Sequence, residues 1–167
     1  VGAYTADDSG GNSGSAYIYA RNATGQYEFV NKLTAYDGNV CDYFGRAVSI
    51  SDDYAIVGPY QDDDKGSSSG SVYIYTKNAT GQYEFVNKLT AYDGSADDFF
   101  GISVSISGNY SIVGAIYNNG SGSAYIYTKN ATGQYEFVNK LTSYDGNTSD
   151  FFGISVSISG NYSIVGA

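Results

Sequence analysis

FGISVSISGNYSIVGA, Phe100 to Ala115, recurs without a change at Phe152 to Ala167, and the same frame stands at Phe44 to Pro59 as FGRAVSISDDYAIVGP. A second block, NATGQYEFVNKLTAYDG, runs from Asn22 to Gly38 and again from Asn78 to Gly94. At Asn130 to Gly146 only Ser143 departs from it. Self-similarity at a fixed period decides a fold before any other feature does. The VG pairs at Val1, Val57, Val113 and Val165 are spaced by 56, 56 and 52 residues. The shorter spacing arises where PYQDDDKGSSSGS (Pro59 to Ser71) is replaced by AIYNNGSGS (Ala115 to Ser123). Length variation confined to one polar, Gly-rich stretch marks a surface loop.

Each repeat carries four strand signals. In the repeat that starts at Phe44 they are Phe44 to Ser51, Tyr54 to Tyr60, Ser71 to Thr76 and Tyr83 to Ala91. The first two meet through Asp52-Asp53, or Gly108-Asn109 one repeat later, which is a tight hairpin signal. Asn78 to Gln82 makes a second tight connection. The fourth strands are predicted at Tyr27 to Ala35, Tyr83 to Ala91 and Tyr135 to Ser143, and no stretch has a helical period with caps. Four short antiparallel strands in each repeat of about 50 residues is the pattern of a propeller blade. The fold class read here is all-β: tandem four-stranded antiparallel propeller-type blades, forming an incomplete ring or a continuous array. Residues 1–43 are a partial repeat with the last three strands of a blade, 44–99 and 100–151 are full repeats, and 152–167 hold the first two strands of another blade.

The first strand alternates bulky Val48 and Ile50 with small Ala47, Ser49 and Ser51, so a large face of one blade can stack on a small face of the next. Val48, Ile50, Val57, Val104, Ile106, Val113, Phe44, Phe100 and Phe152 are expected between blades. So are Tyr17, Tyr19, Tyr73, Tyr75, Tyr125 and Tyr127, as core and not as a sugar-binding platform.

Phe44-Gly45 with Val57-Gly58-Pro59 resembles the FG-GAP repeat, as do Phe100-Gly101 with Val113-Gly114-Ala115 and Phe152-Gly153 with Val165-Gly166-Ala167. The resemblance covers essentially the whole chain. It implies β-propeller blades like those of integrin α-subunit heads, and it implies an extracellular or cell-surface protein. One departure matters. Calcium-binding integrin blades carry an Asp-rich loop between their first two strands, and here that link is two residues, too short to wrap a cation that takes about six to eight oxygens. The family's calcium site therefore does not carry over. The acidic Asp62, Asp63 and Asp64 lie in a different loop, are thinned to Asp7 and Asp8 in the first repeat and are absent at Tyr117, Asn118 and Asn119. They read as a solvated acidic loop, with calcium the minority reading; no cofactor is expected.

Composition narrows the function. The chain has 19 Tyr, 8 Phe and 22 Gly but no His, Trp or Met, and a net charge of −9. Its eight basic residues are scattered, which excludes nucleic acid and an anionic membrane surface as partners. No apolar run is long enough for membrane insertion. Without His, acid–base work would fall to carboxylates, Tyr or Lys. The acids that recur, Asp37/Asp93/Asp145 and Asp42/Asp98/Asp150, repeat in every blade, as structural turn groups do and catalysts do not. One Cys and no His make no zinc site. No catalytic or metal residue is assigned, and the chain is read as no enzyme. Cys41 stands where Asp97 and Ser149 stand elsewhere and reads as an incidental, exposed loop thiol.

N-glycosylation sequons occur at Asn22, Asn78 and Asn130, in the same turn of successive repeats, and at Asn109, Asn119, Asn147 and Asn161. A chain rich in Asn, Ser and Thr generates sequons by chance, but seven without an intervening Pro favour a secreted glycoprotein. The leading functional reading is a non-catalytic extracellular structural glycoprotein, a component of a repetitive assembly or fibre. The alternative is a ligand-binding cell-adhesion β-propeller of the integrin-head type, and a third is a propeller that accompanies an enzyme domain. The chain opens and closes on VGA, so its terminal strands are expected to pair with other copies, as a ring or, preferably, a filament.

Overall fold

The structure is a computed structural model that describes residues 1–167. Thirteen strands form four sheets. The first sheet holds β1 (Gly2–Ala3), β2 (Ser15–Arg21) and β3 (Tyr27–Leu33). The second holds β4 (Ala47–Ser51), β5 (Tyr54–Gly58), β6 (Val72–Lys77) and β7 (Tyr83–Leu89). The third repeats this with β8 (Ser103–Ser107), β9 (Tyr110–Ala115), β10 (Ser123–Lys129) and β11 (Tyr135–Leu141). The fourth consists of β12 (Ser155–Ser159) and β13 (Tyr162–Gly166). All pairings are antiparallel between consecutive strands, and β6, β10 and β2 each carry a bulge opposite their partner, at Ile74/Tyr75, Ile126/Tyr127 and Ile18/Tyr19. The only helical element is a single 3-10 turn at Asn118–Gly120, and no helix is long and apolar enough to cross a membrane.

Side-chain alternation gives each complete blade two unlike faces. In the second blade, Ala55, Val57, Tyr73, Tyr75 and Tyr83 face the first blade, with Ala16, Ile18 and Leu33 opposite. Ile56, Val72, Ile74 and Leu89 face the third blade, where they meet Ile106, Val113, Tyr125, Tyr127 and Tyr135. A third, smaller cluster joins Ile112 and Ala124 to Ile158 of the fourth blade. The innermost strands β4, β8 and β12 lie side by side, and the arc stays open.

Most of the expected core residues are buried between blades, and the exceptions border the incomplete first and fourth sheets. Phe44, Phe100, Val57, Ile106 and Val113 are buried, as are Tyr73, Tyr75, Tyr125 and Tyr127. Val104 and Phe152 are half-buried. Val48 and Ile50 are instead 40% and 53% exposed, and Tyr19 is 44% exposed beside a half-buried Tyr17. The physical reason is shared. β1 spans only Gly2–Ala3, so no residue stands in the first sheet where Ile56 stands in the second, and no blade lies on the Tyr17/Tyr19 face. Val48 and Ile50 therefore border an open apolar groove of about 270 Å³ with Val1, Ile18, Leu33 and Val57. The first strands also start later than Phe44 and the fourth end two residues early, at Leu33, Leu89 and Leu141. Phe44 and Gly45 serve the joint to the preceding blade instead of a ladder. The residues after Leu33 leave the sheet so that the Thr34 carbonyl accepts the Tyr75 hydroxyl at 3.0 Å.

Candidate functional site

The residues that recur most strictly converge on the joints between blades. The innermost strand of each blade is an edge, with N–H groups that no strand answers. Serines of the preceding blade answer them: the N–H groups of Ile106 and Gly108 donate to Ser49 Oγ and Ser51 Oγ, both at 3.2 Å. One joint later, Ile158 and Gly160 donate to Ser105 Oγ and Ser107 Oγ at 3.2 and 3.4 Å. The SVSIS pattern thus serves two neighbours, with Val and Ile facing backwards and Ser capping forwards.

The motif glycines form the same joint. A Cβ on Gly58 would fall on the carbonyl oxygen of Gly101, and one on Gly114 would fall on that of Gly153. The Gly of each VG pair therefore touches the Gly that follows Phe in the next blade, at φ +92° for Gly101, a conformation that glycine adopts without steric cost. Phe100 is held by its N–H on the Ser69 carbonyl at 3.0 Å, while its ring stands edge-on to Tyr125 and Tyr127 with centroids 5.4 and 6.3 Å away.

Toward the rim, Asn87 mimics a strand. Its side-chain amide donates to the Tyr135 carbonyl at 3.2 Å and accepts the Tyr135 N–H at 3.4 Å, and Asn31 treats Tyr83 in the same way. A charged cluster closes the joint. Asp37 from the first blade accepts the Tyr73 hydroxyl and pairs with Lys88 at 3.0 Å. Asp93 accepts the Tyr125 hydroxyl at 2.7 Å and pairs with Lys140 at 2.6 Å. Burial works against the ionised form of Asp37 and Asp93, but the tyrosine hydroxyl and the lysine outweigh it and hold both carboxyls below the usual value. Burial, reinforced by the facing carboxylates, pushes the Tyr73 and Tyr125 hydroxyls far above the ordinary phenol range. Lys88 is desolvated too, yet its bonds to Asp64, Asp37 and Asp62 keep it more basic than a free lysine.

One face carries a continuous row of aromatic rings. Tyr4, Tyr43, Tyr60, Phe99, Tyr117 and Phe151 follow one another with centroids 6.1, 5.8, 5.4, 5.2 and 5.3 Å apart. Tyr43, Phe99 and Phe151 hold φ of 56–57°, an unusual backbone for aromatic residues that recurs at every joint. The loop carbonyls of the preceding blade stabilise it: the Tyr43 N–H donates to Asn12 and the Phe99 N–H to Ser68.

The sequon residues are dispersed. Asn22, Asn78 and Asn130 occupy the turns between the third and fourth strands, half-buried. Each side-chain oxygen accepts three bonds, from the Thr N–H, the Thr hydroxyl and the Gln N–H. Their amide nitrogens donate to Glu28, Glu84 and Glu136. The NAT motif therefore has a turn-building role of its own. Asn109 and Asn161 are exposed in the β8–β9 and β12–β13 hairpins, Asn119 in the 3-10 turn and Asn147 in the loop that leads to the fourth blade. Asp42, Asp98 and Asp150 accept backbone N–H groups three residues earlier, at 2.6, 2.8 and 2.6 Å. Asp62 and Asp64, expected in a solvated loop, are instead both paired with Lys88, and Asp62 is only 4% exposed. Cys41 is half-buried rather than exposed, at φ 67°, a conformation shared by Asp97 and Ser149.

The functions of Ser49, Ser51, Asn87, Lys88 and Lys140 escaped sequence reasoning. Ser49 and Ser51 read only as the small side of a packed strand, Asn87, Lys88 and Lys140 carried no reading at all, and the available signal was their strict recurrence. No curated protein matches the sequence. The FG-GAP repeat family matches three times, over residues 27–75, 83–127 and 135–167, and its motif residues are those that build the joints, so the chain belongs to the FG-GAP repeat family.

Proposed function

We propose that the protein is a non-catalytic extracellular structural component of a repetitive assembly or fibre. The observation that carries this reading is that one set of contacts, serine caps, paired glycines, asparagine bridges and Asp–Tyr–Lys clusters, is reused from joint to joint. FG-GAP repeats are typical of extracellular and adhesion-type proteins. N-glycans at Asn22, Asn78 and Asn130 would suit that location, and intact-glycopeptide mass spectrometry of native material tests them.

Self-association through the terminal strands belongs to the same reading. β12 and β13 are the first two strands of a blade, and β2 and β3 are the last two. Tyr144 is fully exposed and Phe29 is 57% exposed, whereas their counterparts Tyr92 and Phe137 stand with ring centroids 4.8 Å apart. Joining two copies would set Tyr144 on Phe29 and Asp145 on Tyr17 and Lys32, as Asp93 meets Tyr125 and Lys140. Electron microscopy is expected to show filaments. Discrete, monodisperse rings would favour the second reading, a ligand-binding adhesion propeller. That reading has its own support in the aromatic row and in the loop between second and third strands, which differs from blade to blade. A stable monomer at high concentration would refute self-association.

A further inference from the structure

The joints that lead into the second and third blades differ at one buried position. Asp42 and Asp98 are equivalent, 3% and 5% exposed, and each caps its own turn. Asp98 Oδ2 receives a second bond, from Asn118 Nδ2 at 2.8 Å. Asn118 in turn accepts Ser123 Oγ at 2.9 Å and Lys140 Nζ at 2.6 Å through its own oxygen. In the second blade the place of Asn118 belongs to Asp62, beside Ser71 and 3.0 Å from Lys88. A carboxylate has no N–H to offer Asp42, so this joint lacks one hydrogen that its sibling has.

Charge points the same way. Asp42 is faced by Asp62 and Asp63 from the β5–β6 loop and by Lys88 from β7, and Asp62 is faced by Asp64, by Lys88 and by the Tyr73 hydroxyl of β6, 3.3 Å from its Oδ2. Lys88 is already divided among Asp37, Asp62 and Asp64. At the third blade Lys140 meets Asp93 and the neutral Asn118. Buried carboxylates that face one another, beside a cation already engaged by other acids, favour retaining a proton.

We infer that Asp42 and Asp62 hold one proton between them, so that the joint into the second blade is a latch stabilised by mild acid, a device that the neutral Asn118 denies to the joint into the third blade. Burial, with the charges of Asp62 and Asp63 and against the pull of the Asn39 N–H, pushes the Asp42 carboxyl up to about 6, and burial raises Asp62 as well. A carboxyl raised in the folded state contributes stability that is whole below its unfolded value and is lost as the pH climbs through its folded one. The sensitive window therefore runs from the ordinary carboxylate range to just above pH 6.

Thermal unfolding of the full chain from about pH 5 to about pH 8 tests this. The melting temperature of the wild type is expected to fall by several degrees across that range. Asp62→Asn is expected to raise it at the alkaline end and to flatten the profile. The reciprocal Asn118→Asp is expected to steepen the profile by installing the same deficit at the other joint. Carbon-13 NMR of the Asp42 carboxyl should show a midpoint near 6 in the wild type. Parallel profiles for wild type and Asp62→Asn, or an Asp42 midpoint in the ordinary carboxylate range, would overturn the inference. So would stabilisation of the wild type by calcium at about pH 8 that is absent in Asp62→Asn, because the charge would then be met by a cation and not by a proton.

Discussion

Gly58 has a backbone oxygen where a side chain would have to go, and the obstacle belongs to another blade. Relief requires the two blades to move apart, because neither backbone can rotate away alone. Gly58→Ala is expected to cost about 3 kcal/mol or more, measured by denaturant titration. Asn78→Ala removes a turn acceptor of three hydrogen bonds and is expected to cost about 1–2 kcal/mol in chain made without glycans, which separates the turn role from any sugar. The tyrosines make a third case. Burial raises the hydroxyl pKa of Tyr73, Tyr75, Tyr125, Tyr127 and Tyr135. Their contribution is therefore intact below the ordinary phenol range and is lost as alkali drives them toward ionisation. Absorbance titration is expected to show these five phenolates appearing only as the fold collapses.

A strand such as SVSIS has two customers, and only one was visible in the amino-acid order. Val and Ile at alternate positions announce a strand with an apolar side, and the strands stand where that alternation put them. Whether the apolar side is covered depends on the neighbour: Ile106 is 5% exposed and Ile50 is 53% exposed with the same flanking residues. The sequence carries no local mark of that difference. The serines were legible as small and illegible as caps, because the N–H groups they answer lie more than fifty residues away. Asn87 and Lys88 were hidden for the same reason, while the acid at Asp42 was read as a turn group from its recurrence in every repeat, and its partner is indeed only three residues distant. Ser105→Ala should leave the Ile158 N–H unanswered and cost about 0.5–1.5 kcal/mol. The loss should be read as faster amide exchange at Ile158 with the third sheet otherwise unchanged.

Across the whole molecule the two faces of a blade are unlike, one bearing Val, Ile and Tyr and the other bearing Ser and Ile. A two-fold arrangement would set like face on like face and leave the edge N–H groups of both copies bare, so only head-to-tail joining satisfies them. Removal of residues 100–151 brings Phe99 directly before Phe152, which recreates the native Phe-Phe-Gly lead-in, and the second blade then meets β12 through contacts it already makes with β8. The shortened chain is expected to fold and to melt cooperatively with a smaller enthalpy, checked by calorimetry. Such interchangeability has a consequence for how a chain of this kind can change. Every joint draws half its parts from each of two adjoining repeats, so a substitution in one copy of the motif is tested against an unaltered partner and is mostly penalised. The gain or loss of a complete repeat brings or removes both halves together and leaves every remaining joint matched. Heredity in such an array proceeds more easily by whole units than by single letters, which is the pattern that two identical sixteen-residue copies, Phe100 to Ala115 and Phe152 to Ala167, leave in the sequence.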